Sequence, residues 1–142
     1  MASANFSSFI RALATGGHNF SSDTLKVMLV SSIPTESDLD TWSNRSDVTN
    51  EITGAGYTAG GIDQPYVLDD FDIVNNEQTI TLTDISNGWT AATISAVGAI
   101  IYKNSGAAAT DKLMSFVGFG ATVSVTNGNY SITYTSPLAI GR

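Results

Sequence analysis

The chain has 142 residues, no cysteine and only 13% charged side chains, with 13 acidic residues against six Lys and Arg for a net charge of −7. A domain of this length buries about two thirds of its unfolded surface, so it needs no metal or disulfide to fold, and without Cys it has neither a disulfide staple nor a thiolate nucleophile or zinc ligand. The six cations (Arg11, Lys26, Arg45, Lys103, Lys112 and Arg142) are scattered singly, which excludes a phosphate-binding stripe, and the longest apolar stretch, Ala96 to Ile101, is too short to span a membrane.

The start, MASANFSSFIRALA, lacks a basic segment followed by a continuous apolar run, so synthesis in the cytoplasm is expected. Phe6, Phe9, Ile10 and Leu13 follow the i, i+3, i+4, i+7 spacing of one helical face. Ser3 or Asn5 is expected to cap this helix, and Gly16-Gly17 to end it. Its apolar face either covers an edge of the core or forms an arm, residues 1–16, that docks on a partner. Thr24 to Ser31 reads as a strand, with Leu25, Val27 and Leu29 on one face; Met28 and Val30 opposite them imply burial on both sides. A long connection over residues 33–50 follows, in which Leu39 and Trp42 mark a helical turn.

The stretch TGAGYTAGG, Thr53 to Gly61, lacks the Lys-Ser/Thr of a phosphate loop and the following helix of a dinucleotide fingerprint. It reads instead as tight turns or bulges around a short strand at Tyr57. Tyr66 to Val74 and Gln78 to Thr83 read as a hairpin joined across Asn75-Asn76, the second strand alternating Ile80 and Leu82 with threonines. Thr93 to Lys103, Lys112 to Phe119, Thr122 to Thr126 and Asn129 to Thr135 read as further strands, then Leu138 and Ile140. Asn87-Gly88, Asn104-Ser105-Gly106 and Asn127-Gly128 are expected to be the turns between them. About eight strands and one short N-terminal helix predict a mostly β single domain over residues 1–142, a β-sandwich of jelly-roll or immunoglobulin-like form. Its expected core holds Leu25, Val27, Leu29, Ile80, Leu82, Ile100, Phe116 and Ile132.

Chemistry-bearing residues are sparse. His18 is the single histidine and has no Ser-Asp arrangement around it, so no catalytic residue is assigned and the chain is not expected to be an enzyme. Asp69, Asp70 and Asp72 form the densest acidic cluster, with Asp70 and Asp72 on one face of a strand. No loop motif supplies the six to eight oxygens Ca²⁺ requires, so these carboxylates are read as a solvated or edge-guarding strand, and no metal or cofactor is expected. The aromatic residues show no spacing that marks a sugar-stacking face.

The segments DTLKVMLV, RSDVTNEITGAGYTAGG, WTAATISAVGAIIYKNSG, FVGFG, NGNYSITY and PLAIGR occur in that order. This order resembles a family of small tailed-bacteriophage virion proteins associated with capsid decoration, or cement. The likeness runs from Phe6 to the C terminus, and residues 62–76 depart most from it. It implies a structural protein on the capsid exterior that binds the major capsid protein and stabilises the shell. The rival expectation is a tail-associated module or one that binds carbohydrate on the host surface. Two-sided apolar strands and a surface too acidic to face packaged DNA extend the expectation to a homo-oligomer, a trimer in preference to a dimer. Phe6 and Phe9 of the arm and Leu39 and Trp42 of the connection are the expected partner-binding residues, since neither segment is needed to close a sandwich.

Overall fold

The computed structural model describes residues 3–141, with the side chains of residues 139–141 excepted; Met1 and Ala2 of the expected arm, and Arg142, lie outside the described residues, as does the Ile140 side chain. Two antiparallel sheets form the molecule. The first has five strands in the order β1-β7-β6-β2-β3, and the second has three in the order β4-β5-β8. The strands are β1 (Ser3–Asn5), β2 (Leu25–Val30), β3 (Ile62–Asp63), β4 (Tyr66–Leu68), β5 (Glu77–Leu82), β6 (Ile85–Lys103), β7 (Lys112–Ile132) and β8 (Leu138–Gly141). Helix α1 spans Ser7–Ala14 and α2 spans Glu36–Thr41, with a 3-10 turn at Arg45–Asp47. The architecture is mostly β and sandwich-like, as the strand pattern predicts. A jelly roll would set four strands against four; here five face three, and one long hairpin dominates.

That hairpin explains most departures from the sequence reading. Lys112 to Ile132 is one strand rather than three, and its partner begins at Ile85, eight residues before the expected start at Thr93. The pairing slips at five places between Ile85 and Tyr102. Each slip is a bulge or irregularity that bends and twists the strand pair without ending it. Asn87 and Asn127, expected in turns, adopt positive φ values of 52° and 46° inside the ribbon. Asparagine tolerates this left-handed conformation, which serves an irregular ribbon as well as a tight turn. The third expected turn does close the hairpin, across residues 104–111.

The ribbon's near half belongs to the five-stranded sheet, where Gly98 to Lys103 pairs β2 and Ser115 to Val117 pairs β1. Its far half carries Ile85, Trp89, Tyr130 and Ile132 into the same buried cluster as Leu25, Val27 and Leu29 of the first sheet and Ile80, Leu82 and Leu138 of the second. This cluster is the interior of the sandwich. A second cluster lies on the opposite face of the first sheet, where Met28, Val30, Ile100, Tyr102, Leu113 and Phe116 meet Phe6, with Leu39, Trp42 and Val48 packed over them. The molecule therefore has three layers, and the two-sided burial read from Met28 and Val30 is present. All eight expected core residues are buried, although Ile100 and Phe116 face the outer layer.

The N-terminal segment is part of this core. β1 pairs with Ser115 to Val117 and leads into α1, whose N-cap position is Phe6, without any side-chain cap from Ser3 or Asn5. Phe6 is 0% exposed in the outer cluster, and Phe9 is buried between the sheets. Ile10, expected on the apolar face, is 55% exposed, and Ala12 is buried in its place. The reading of residues 1–16 as a free arm is corrected: two phenylalanines on opposite sides of one sheet tie the segment down.

Candidate binding surface

Of the four residues expected to bind a partner, Phe6, Leu39 and Trp42 come together, and Phe9 does not join them. The Phe6 and Trp42 rings stack at 6.4 Å. α2 is held in place by a capping box, in which the Thr35 hydroxyl accepts from Asp38 N–H and the Asp38 carboxylate accepts from Thr35 N–H. Phe6 and Phe9 have no surface left to offer a partner, because the chain's own core consumes it; Leu39 and Trp42 are half-buried against that core.

The glycine-rich stretch is also structural. Glu51 Oε1 accepts from the Tyr57 hydroxyl at 2.8 Å and from Gly60 N–H at 2.6 Å, and the Tyr57 oxygen in turn accepts from Leu29 N–H at 3.1 Å. Burial, aided by the neighbouring Glu51 charge, pushes the Tyr57 phenol well above its ordinary value. The adjoining Tyr102 hydroxyl donates to Gly60 O at 2.5 Å, beneath an Arg45 guanidinium that is paired with Asp111 at 2.8 Å. The segments DVTNE and GYTAGG thus meet in one hydrogen-bonded node that fastens the connection to the sheet. No short strand forms at Tyr57; single bridges at Glu51 and Ala55 replace it. An open trough of about 510 Å³ runs beside the node, lined by Ser31, Thr53, Thr93, Ser95 and Ser124. Its one carboxylate, Glu51, is already engaged.

The hairpin of β4 and β5 differs from the rest of the surface. The sequence pattern predicts one strand over Tyr66 to Val74, but β4 ends at Leu68. The Asp72 carboxylate intervenes by accepting from Val74 N–H at 2.9 Å, from Asn75 N–H at 3.1 Å and from the Asn75 side chain at 2.8 Å. Such local bonds draw the backbone out of a ladder and into a turn. The same three bonds, from the Asn75 side chain first, hold the Asp72 carboxyl below its ordinary range. Reciprocal backbone bonds between Asp72 and Glu77 close the turn, and Asn76 supplies its positive φ of 55°. Asp69 accepts from the Thr79 and Thr81 hydroxyls at 2.7 and 2.8 Å. Asp70 and Asp72 therefore do not form a carboxylate pair on a strand face, and among the described residues no group of three potential ligands could hold a metal ion.

This well-bonded tip holds its apolar side chains in water. Ile73 and Val74 are 83% and 84% exposed and Phe71 is 52% exposed, with Val67 and Leu68 exposed behind them. A large apolar side chain gains roughly 1.5–3 kcal/mol on burial, so the tip holds back a gain that the core residues realise. Contiguous exposed apolar side chains edged by charge mark interaction sites. Sequence reasoning missed this surface because Asp-Asp-Phe-Asp-Ile-Val imitates a strand. The one available signal was three aspartates crowded where a strand would need pairing residues.

Comparison of the chain with protein-family models, with curated proteins and with solved structures finds no match.

Proposed function

We propose that the protein is a structural virion component that binds the outer surface of a phage capsid, contacts the major capsid protein and stabilises the shell. The ordered sequence segments from DTLKVMLV to PLAIGR support this reading through their resemblance to capsid decoration proteins. The observation that carries it on the structural side is the β4–β5 tip, an acidic hairpin that keeps Phe71, Ile73 and Val74 in solvent within four residues of one another. A protein that binds only the assembled lattice shifts the equilibrium toward assembly. Decorated shells should then rupture at higher temperature than bare ones. Three copies around a local threefold axis are the arrangement proposed, since proteins seated at symmetry axes take up the symmetry of the shell. Particles lacking this protein, compared with complete ones by electron microscopy and thermal rupture, test the reading. Hundreds of copies on the head support it, whereas a few copies on the tail favour the rival tail-associated or host-surface carbohydrate module.

A further inference from the structure

We infer that the β4–β5 tip is the element that enters the partner, with Phe71, Ile73 and Val74 filling an apolar socket on a different protein whose rim carries Lys or Arg. The capsid reading above is what places that partner in a virion; the chemistry of the socket comes from the tip itself.

Charge defines the partner. Between Arg45 and Lys103 the sequence has no Lys or Arg, while eight of its 13 acidic residues fall there, four of them at 69–77. Asp70 is exposed beside the apolar side chains. Phosphate backbones and anionic lipid surfaces are repelled by such a tip, and a socket edged with cations is attracted. Among the described residues, a second copy of this chain offers no such socket. Its Arg45 and Lys103 are committed to Asp111 and Asp23, and Lys26 sits opposite Asp63 on the neighbouring strand. Arg11 and Lys112 do share a notch, but Ser8, Ala12, Thr15, Ser43 and Asn44 complete it, with no large apolar wall to receive Ile73 or Phe71. Order defines the mode of binding. The Asp72 turn and the Asp72–Glu77 bonds brace the tip backbone before any partner arrives, which removes part of the entropic cost of docking.

The test places a benzophenone amino acid at position 73, or at the exposed control position 33, in protein made during infection, and purifies the particles after irradiation. The expected result is a crosslink from position 73 to a Lys- or Arg-bearing segment of another virion protein. In parallel, Ile73→Ser with Val74→Ser should lower the copy number on particles at least tenfold while leaving the melting temperature of the free protein unchanged, and Asp70→Lys should lower it severalfold. A crosslink to a tail protein keeps the inference and overturns the shell reading. Normal shell occupancy by the tip variants keeps the shell reading and overturns the inference. A crosslink only to a second copy, or none from position 73, also overturns it. Absence of the protein from particles overturns both.

Discussion

His18 is enclosed between Phe9 and Phe20, its ring stacked on Phe20 at 5.5 Å and edge-on to Phe9 at 5.2 Å. Among the described residues neither ring nitrogen has a partner at hydrogen-bond distance, and the nearest charge, Asp23, lies 3.6 Å from Nδ1 and is shared with the Lys103 ammonium at 3.2 Å. Burial holds the imidazole below its ordinary 6.5; Asp23 opposes that shift, and Lys103 and Lys112 reinforce it. The unfolded chain therefore binds a proton at a pH where the folded one does not. The stability from neutral His18 is complete above 6.5 and is lost as pH falls through 6.5 toward the lower folded value. Denaturant midpoints measured from pH 8 down to about pH 5 should decline across this window in the wild type and stay flatter in His18→Phe; equal slopes would move the effect to other groups. Gly61 allows a comparable test of the backbone. Its φ is +72° and an added Cβ would sit 1.8 Å from Val27 O, whereas Gly16, at +79°, has nothing within 4 Å. Gly16→Ala should cost about 1 kcal/mol of strain, and Gly61→Ala clearly more, because there strain and collision act together; similar midpoints for the two variants would count against the close packing of the glycine-rich stretch on β2.

Removing residues 1–13 takes away β1 and with it both buried phenylalanines, one from each side of the first sheet. Truncating a buried Phe typically costs about 3–5 kcal/mol, and two such losses approach the roughly 5–15 kcal/mol by which domains are stable. The truncated chain should lose its cooperative melt and its near-ultraviolet circular dichroism; retention of both would restore the segment as a dispensable arm. The same elements show what is legible in the sequence. Period-two patterning found β2 and β5, and helical spacing found α1, because in these the side chains themselves carry the periodicity. The long ribbon reads as separate strands in sequence because Asn-Gly satisfies the geometry of a turn and of an irregular ribbon alike, and only the partner strand decides between them. The tip reads as a strand in sequence because alternation is a property of residue types, whereas the turn depends on where the Asp72 oxygens find donors. Of the candidate surface, the apolar residues Phe6, Phe9, Leu39 and Trp42 are legible from local helical spacing, but the stacking of Phe6 on Trp42 and the burial of both phenylalanines are not, since nothing local says which apolar face a sheet will claim.

The whole molecule is two apolar clusters separated by one sheet, and each has its own tryptophan. Trp89 is buried between the sheets against Tyr57 and Tyr130, and Trp42 packs on Phe6 in the outer layer. Residues of β2 alternate between the clusters, Leu25, Val27 and Leu29 inward and Met28 and Val30 outward. Neither layer can separate without exposing one face of the strand that the other layer needs. The three-stranded sheet is joined to the first through Ile80 and Leu82, and through Gln64, which donates to Thr83 O at 2.8 Å and accepts from the Tyr134 hydroxyl at 2.5 Å. A single cooperative unfolding transition follows. Trp42→Phe and Trp89→Phe leave one reporter in the interior and one in the outer layer, and urea curves followed by their fluorescence should coincide with each other and with far-ultraviolet circular dichroism. Ile80→Ala in the second sheet and Leu29→Ala in the first, both fully buried, should each cost about 2–5 kcal/mol and move both reporters together. If Ile80→Ala instead shifts the Trp89 curve and leaves that of Trp42 in place, the small sheet unfolds as a unit of its own, and the β4–β5 tip would be presented to its partner by the less stable part of the molecule.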